Sequence, residues 1–188
     1  MKIEDRKKAL RTEIRKRAKK YSWEWIEAES AKITERIIKS PAYQNAEVIF
    51  CYVSTGKEVS TFEILEDAFR RRKKVGVPLC LEKGRMEVRQ IHSMQDLCPG
   101  AYGILEPKPE TDRIPGEEIT YGIIPCVTCD KKGNRMGHGA GYYDRYLEGL
   151  KLKKVIVCFD EMMAEEIPMT ELDIRMDQVV SQSQTIEL

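Results

Sequence analysis

The stretch Asn134-Arg-Met-Gly-His-Gly-Ala-Gly-Tyr-Tyr-Asp-Arg145 gathers the residue types from which a phosphate site is built. Gly137, Gly139 and Gly141 stand at alternate positions, so the backbone there can take positive φ angles and approach a ligand closely. Successive N–H groups in such a turn form an anion-binding concavity, and a helix opening just after it adds its dipole. Arg135 supplies a fixed charge whose planar fork suits phosphate oxygens. The spacing is not that of a Walker A loop, because no Gly-Lys-Ser/Thr ending follows, nor is it Gly-x-Gly-x-x-Gly. A tight turn without a ligand is the plainer alternative, and the chemistry favours phosphate over it.

Charge is distributed unevenly over the 188 residues. Residues 1–20 carry ten Lys/Arg against three Asp/Glu, while the remainder holds 22 against 28, for a net charge of +1. A basic segment on a mildly acidic body points to a local anion site, a nucleic-acid-binding arm or a solvated helix face. Cys126-Val-Thr-Cys129 has metal-ligand spacing, but no second cysteine pair exists and neither His92 nor His138 offers an obvious complement. The sequence therefore predicts no structural zinc. The opening Met-Lys-Ile-Glu-Asp-Arg lacks a secretory pattern, and no apolar run approaches the roughly 20 residues a membrane helix needs. Six free thiols in a reducing, cytoplasmic compartment are the expectation, with no membrane partner.

The elements that must position these residues read as follows. Ile3, Leu10, Ile14 and Ala18 form a stripe on a first helix, and Ser22 caps a second one bearing Trp25, Ile26, Ile33 and Ile37 until Ser40-Pro41. Val48 to Val53 reads as a buried strand. A helix capped by Ser60 or Thr61 follows, with Phe62, Leu65 and Phe69 inward and Arg70 to Lys74 at its end. Strands are expected at Val75 to Leu79 and Met86 to Ile91, then a Pro/Gly loop from Cys98 to Gly116. Ile119 to Val127 and Lys154 to Phe159 read as buried strands, separated by the glycine turn and a helix from Tyr142 to Leu150, with a last strand near Gln178 to Ser181. Alternating strands and helices predict one α/β domain over residues 1–188, Rossmann-like and three-layered, with a mainly parallel sheet.

Gly133-Asn-Arg-x-Gly-x-Gly-x-Gly-Tyr-Tyr-Asp144 resembles the signature of the 5-formyltetrahydrofolate cyclo-ligase family. Lys7-Lys-Ala-Leu-Arg11, Glu58-Val-Ser-Thr61, Gly103-Ile-Leu-Glu-Pro107 and Ile124-Pro125 resemble further family segments in the same order, from about residue 7 to residue 180. The chain departs from the family at Cys126 and Cys129, which replace a glycine and an aromatic. His138 and Ala140 fall on variable loop positions.

The resemblance implies ATP-driven cyclisation of 5-formyltetrahydrofolate to 5,10-methenyltetrahydrofolate by a monomer, with Mg2+ as cofactor and no nucleic-acid partner. It places ATP on Lys7, Lys8, Arg11, Arg135, Met136, Gly137, His138, Gly139, Ala140, Gly141, Tyr142 and Tyr143. Lys7 and Arg11 are four residues apart on one helix face, so both can reach one triphosphate. The folate is expected against Val53, Glu58, Tyr102 and the loop residues His138 to Tyr142, with Glu58 accepting paired pterin N–H groups. Asp144 and Asp173 are the expected magnesium carboxylates, although Asp177 lies close enough in sequence to be confused with Asp173. Two rival readings remain: a sugar-phosphate isomerase or acyl-CoA-transferase relative of the same fold, or a folate- or nucleotide-binding protein without turnover.

Overall fold

Eight strands form one sheet in the order β12-β11-β10-β7-β1-β2-β3-β6. The strands are β1 (Val48–Cys51), β2 (Lys74–Cys80), β3 (Met86–Ile91), β6 (Arg113–Ile114), β7 (Tyr121–Ile124), β10 (Lys153–Val157), β11 (Gln178–Val180) and β12 (Thr185–Glu187). The computed structural model describes residues 2–100 and 103–188. The five strands from β11 to β2 pair in parallel, and β12, β3 and β6 extend the two edges antiparallel. The expected α/β class with a mainly parallel sheet is therefore the observed one.

Strand faces explain why these short runs are almost wholly apolar. In the β1–β7 register Phe50 lies beside Gly122 and Ile49 beside Tyr121, so the two pairs face opposite sides. Phe50 stacks on Tyr143 and meets Tyr146 edge-on, both from α5 (Tyr142–Leu147). On the other face Tyr121 packs against Tyr43 of α3 (Pro41–Asn45). Both faces are covered, and Ile49, Phe50, Cys51, Ile123 and Ile124 are 0% exposed. Each such side chain contributes about 1.5–3 kcal/mol on burial, so the floor under the strand ends is rigid.

The helices start and stop where local chemistry dictates. Ser22 caps α2 (Trp23–Lys39) by accepting from Trp25 N at 3.2 Å, and the helix buries Ile26, Ile33 and Ile37. Ser40 ends α2 and caps α3, with Pro41 in its first turn. On α1 (Ile3–Ala18) the buried residues are Lys7 and Ile14, while Arg15 and Lys16, with Lys19 and Lys20 just past its end, project into solvent as a hydrated face. No described helix is long and apolar enough to cross a membrane.

Three local expectations need correction. Thr61 stands at the N-cap of α4 (Phe62–Arg70) but makes no cap bond; its hydroxyl donates to Tyr52 O at 2.8 Å and accepts from Ser54 N. Phe62 is 39% exposed, and the inward face is Ile64, Leu65 and Ala68, because the inward stripe is set by where the sheet lies. The Pro/Gly segment after Cys98 holds strands: β4 (Leu97–Pro99) pairs with β5 (Leu105–Pro107), and β6 extends the main sheet. These pieces are two or three residues long and two of them end in proline, so no alternation marks them.

Candidate active site

The parallel strands run β2-β1-β7-β10-β11, so the chain steps from β1 to β2 and then crosses back to β7 on the other side of β1. Open α/β sheets bind ligands outside the carboxyl ends of their strands at such a reversal. Tyr52, Val53 and Glu58 leave the end of β1, Pro125 and Cys126 the end of β7, and the glycine loop closes over that position. An open depression of about 710 Å3 lies elsewhere, between α1 and residues 163–166, and none of the candidate residues lines it.

The glycine loop is shaped from below. β8 (Thr128–Cys129) and β9 (Arg135–Met136) form a two-stranded ribbon leading into it. Asp130, fully buried, ties that ribbon: Oδ1 accepts from Lys132 N and Asn134 N, and Oδ2 from Asn134 Nδ2 and Ile167 N. Gly139 and Gly141 have φ of 106° and 68°, which L side chains rarely adopt. Gly137 does not lie in that region, so only two of the three glycines are needed for their backbone freedom. Arg145 then straps the loop, donating to Ala140 O and, from Nε, to Gly84 O at 2.9 Å. Neither Asp130 nor Arg145 was expected; only the fold reveals their partners.

The first helix reaches both this loop and the segment that carries Asp173. Arg11 Nε donates to Gly137 O at 2.8 Å, clasping α1 onto it. Lys7 Nζ pairs with Asp173 at 2.6 Å, and Lys8, the adjacent residue, is exposed. Burial raises the Asp173 carboxyl, but hydrogen bonds from Lys7, Thr170 N and the Thr170 hydroxyl outweigh it and hold the group below its ordinary value. Asp177 pairs instead with Lys154 at the start of β10, which separates it from Asp173.

Arg135 and Asp144 form a second couple. Arg135 Nη2 donates to Asp144 Oδ2 at 2.9 Å and Nη1 to Pro125 O. Its side chain is 4% exposed, and Nε has no hydrogen-bond partner among the described residues. Arg135 thus acts on the loop from beneath, with its fork committed to Asp144, rather than standing open at the surface. Asp144 Oδ1 accepts from Ile174 N at 3.2 Å, so the Asp144 carboxylate lies against the backbone next to Asp173.

On the opposite wall Glu58 Oε2 accepts from Thr55 N at 2.8 Å, and Oε1 stands 3.6 Å from His138 Nε2. Val53 is 5% exposed and forms the floor. Tyr142 donates to Leu81 O, whereas Tyr143 lies under the loop between Phe50 and the Arg135 guanidinium. Burial pushes the Tyr143 phenol far above its usual range, so it is a neutral packing group. Met136 is buried, and His138 and Ala140 are exposed at the loop's tip. Tyr102 lies outside the described residues.

Beside the loop Cys126 and Cys129 are joined by Cys158, their three sulfurs lying within 4.8 Å of one another. Cys158 is a complement that the Cys-x-x-Cys spacing did not reveal. Hydrogen bonding from Cys129 and Cys158, with Arg135 nearby, holds the Cys126 thiol well below its usual range, and Cys129 and Cys158 are pushed up.

The switch point of an α/β sheet, closed over by a glycine loop that Arg11 and Arg145 hold, is where an α/β enzyme binds its ligands. The sequence pattern of the 5-formyltetrahydrofolate cyclo-ligase family matches residues 3–182, and the chain belongs to that family. It is similar to the Saccharomyces cerevisiae 5-formyltetrahydrofolate cyclo-ligase, 32% identical over 93% of this chain and 94% of the relative. Its fold is similar to the solved 5,10-methenyltetrahydrofolate synthetase of Aquifex aeolicus, with a TM-score of 0.87, 27% identity, and 97% and 92% of the two chains covered. The Mycoplasma pneumoniae synthetase, at 20% identity and a TM-score of 0.76 over 94% and 98% of the chains, shares the fold. The isomerase and CoA-transferase readings are thereby set aside.

Proposed function

We infer that this chain closes 5-formyltetrahydrofolate to 5,10-methenyltetrahydrofolate, consuming ATP and releasing ADP and phosphate. The observation that carries the reading is the family match across residues 3–182. A formamide carbon is a poor electrophile. The formyl oxygen therefore takes the γ-phosphoryl group as its bond to ADP breaks. Nitrogen 10 then attacks the formyl carbon, the carbon–oxygen bond breaks with loss of phosphate, and the nitrogen 10 proton leaves. The protein's part is to position both substrates and offset charge on the moving phosphoryl group.

Lys7, Arg11 and the backbone from Gly137 to Gly141 hold the triphosphate, with Lys8 at the rim and Met136, His138, Ala140, Tyr142 and Tyr143 shaping the loop around it. Arg11's grip on Gly137 O supports this, because it brings the basic helix and the glycine loop to one place. Glu58 receives the pterin, with Val53 beneath and the loop residues His138 to Tyr142 as the shared wall, and Tyr102 is the aromatic side chain we assign to the same ligand. Asp144 and Asp173 suit Mg2+: both are hard oxygen donors, and the Ile174 N–H brings Asp144 against the segment that carries Asp173. Magnesium, when bound, offsets phosphate charge. Lys7 and Arg135 neutralise the same two carboxylates in this structure, so ligand binding exchanges partners instead of stranding charges. The six free cysteines fit a reducing compartment, and we place the enzyme in the cytoplasm as a monomer of one domain.

The function is tested by following methenyltetrahydrofolate spectrophotometrically from 5-formyltetrahydrofolate and Mg-ATP; binding of both without product would make the chain a non-turning relative. Phosphate contacts are tested on α1. Lys7→Ala and Arg11→Ala should raise the KM for ATP roughly 10- to 100-fold, since each removes a charge-assisted hydrogen bond. Arg15→Ala, on the hydrated face, should leave it unchanged. Equal effects from all three would reduce the helix to a generic basic surface.

A further inference from the structure

The cysteines beside the loop have no part in the ring closure, yet they are arranged as ligands. Ile124 of β7 and Ile156 of β10 are register partners. Continuing that register two residues sets Cys126 beside Cys158. The ribbon of β8 and β9 turns Cys129 back toward both, and Ala164 N donates to the Cys129 carbonyl at 2.9 Å, anchoring the turn. Three backbone segments thus converge their sulfurs to within 4.8 Å of one another. Sulfurs each about 2.3 Å from one ion stand roughly 4 Å apart, so the separation fits a common metal with little movement.

We propose that Cys126, Cys129 and Cys158 form a three-thiolate site for a soft, low-coordinate cation of the copper(I) class. The donor set decides the class. All three ligands are sulfur, which selects soft ions over magnesium or calcium. No histidine or carboxylate joins the cluster among the described residues. Cys129 and Cys158 are buried, so a tetrahedral zinc would have to draw its fourth ligand through the side of Cys126, the half-buried member. Copper(I) is satisfied by three sulfurs. Binding displaces the thiol protons that remain on the cluster. The neighbouring Arg135, whose Nη1 reaches Pro125 O one residue before Cys126, balances part of the negative charge. No electron transfer is involved.

This site is independent of the folate reading. The full-length reduced protein is stripped of metal and titrated anaerobically with copper(I) against a chromophoric copper(I) chelator, with X-ray absorption at one equivalent. The expected result is one copper(I) per chain, coordinated by three sulfurs. Cys126→Ser and Cys158→Ser should each weaken it by roughly a hundredfold or more, because a ligand lost exceeds the effect of a supporting group. Cys80→Ser and Cys98→Ser should bind as the parent does, since those thiols lie outside the cluster. Cys126→Ser, at the half-buried position, is the variant to rely on if the Cys158 substitution unfolds the chain, with thermal melting as the check. The site is overturned by unchanged affinity in folded Cys126→Ser, by copper that follows Cys80 or Cys98, by a preference for zinc(II), or by a Cys126–Cys129 disulfide that persists in reductant and excludes metal. Turnover with Mg-ATP in the absence of copper should be retained in Cys126→Ser.

Discussion

Asp144→Asn should lower kcat roughly 100- to 1,000-fold and move the magnesium requirement to higher concentration, the scale of losing one charged group aimed at a transferring phosphoryl. The side chain's shape survives in the amide, but if its one oxygen keeps the bond from Ile174 N, its NH2 group faces Arg135 Nη2, so the change removes both the charge and an acceptor. Stability should fall as well. Arg135 is 4% exposed and draws its negative partner from Asp144, and a buried charge left without its counter-ion costs about 3–5 kcal/mol when the pair is broken outright. The amide's one oxygen serves either Ile174 N or Arg135 Nη2 and not both, so the loss should fall within that range. The two effects separate experimentally. A purely structural role would lower the melting temperature while the folded fraction kept the parent's magnesium titration and kcat. A shifted titration in protein shown to be folded assigns Asp144 to the metal. Asp173→Asn should give the same shift more weakly, because Lys7 remains beside it to neutralise phosphate.

The parts of this site that were legible in the sequence are those whose chemistry is local. The glycine loop announces itself because the residue types and their spacing suffice, and β1 does so as an unbroken apolar run. What could not be read depends on which strands become neighbours. Cys158 is 29 residues from Cys129, and only the parallel pairing of β7 and β10 sets it beside Cys126. Asp130 looks like any loop carboxylate until its four donors are seen, one of them from Ile167. Asp173 and Asp177 are equivalent on paper; Lys7 from α1 and Lys154 from β10 tell them apart. Arg135 shows the reverse case. Its type and place suggested an open phosphate ligand, yet packing turns its fork down onto Asp144 and Pro125 O. Charge in the sequence says where attraction is available, and the fold decides which partner takes it.

Glu58→Gln should weaken folate binding by about 2–4 kcal/mol, or roughly 30- to 900-fold, with ATP binding nearly unchanged. Glu58 keeps one oxygen occupied by Thr55 N at 2.8 Å, which fixes the carboxylate's orientation, and presents the other toward the loop, 3.6 Å from His138. The amide can retain the Thr55 bond through its own oxygen. Its NH2 group must then occupy the position that faces the ligand, so a donor meets the pterin's donors and the paired hydrogen bond is lost. Shape and local backbone are preserved, which separates this variant from Glu58→Ala, where Thr55 N would also lose its acceptor. The measurement is the pair of apparent Michaelis constants together with direct nucleotide binding. A variant that loses ATP affinity and keeps folate affinity would move Glu58 to the nucleotide site. If neither constant changes, Glu58 serves only to hold Thr55 and its loop in place, and the pterin must find its acceptor elsewhere.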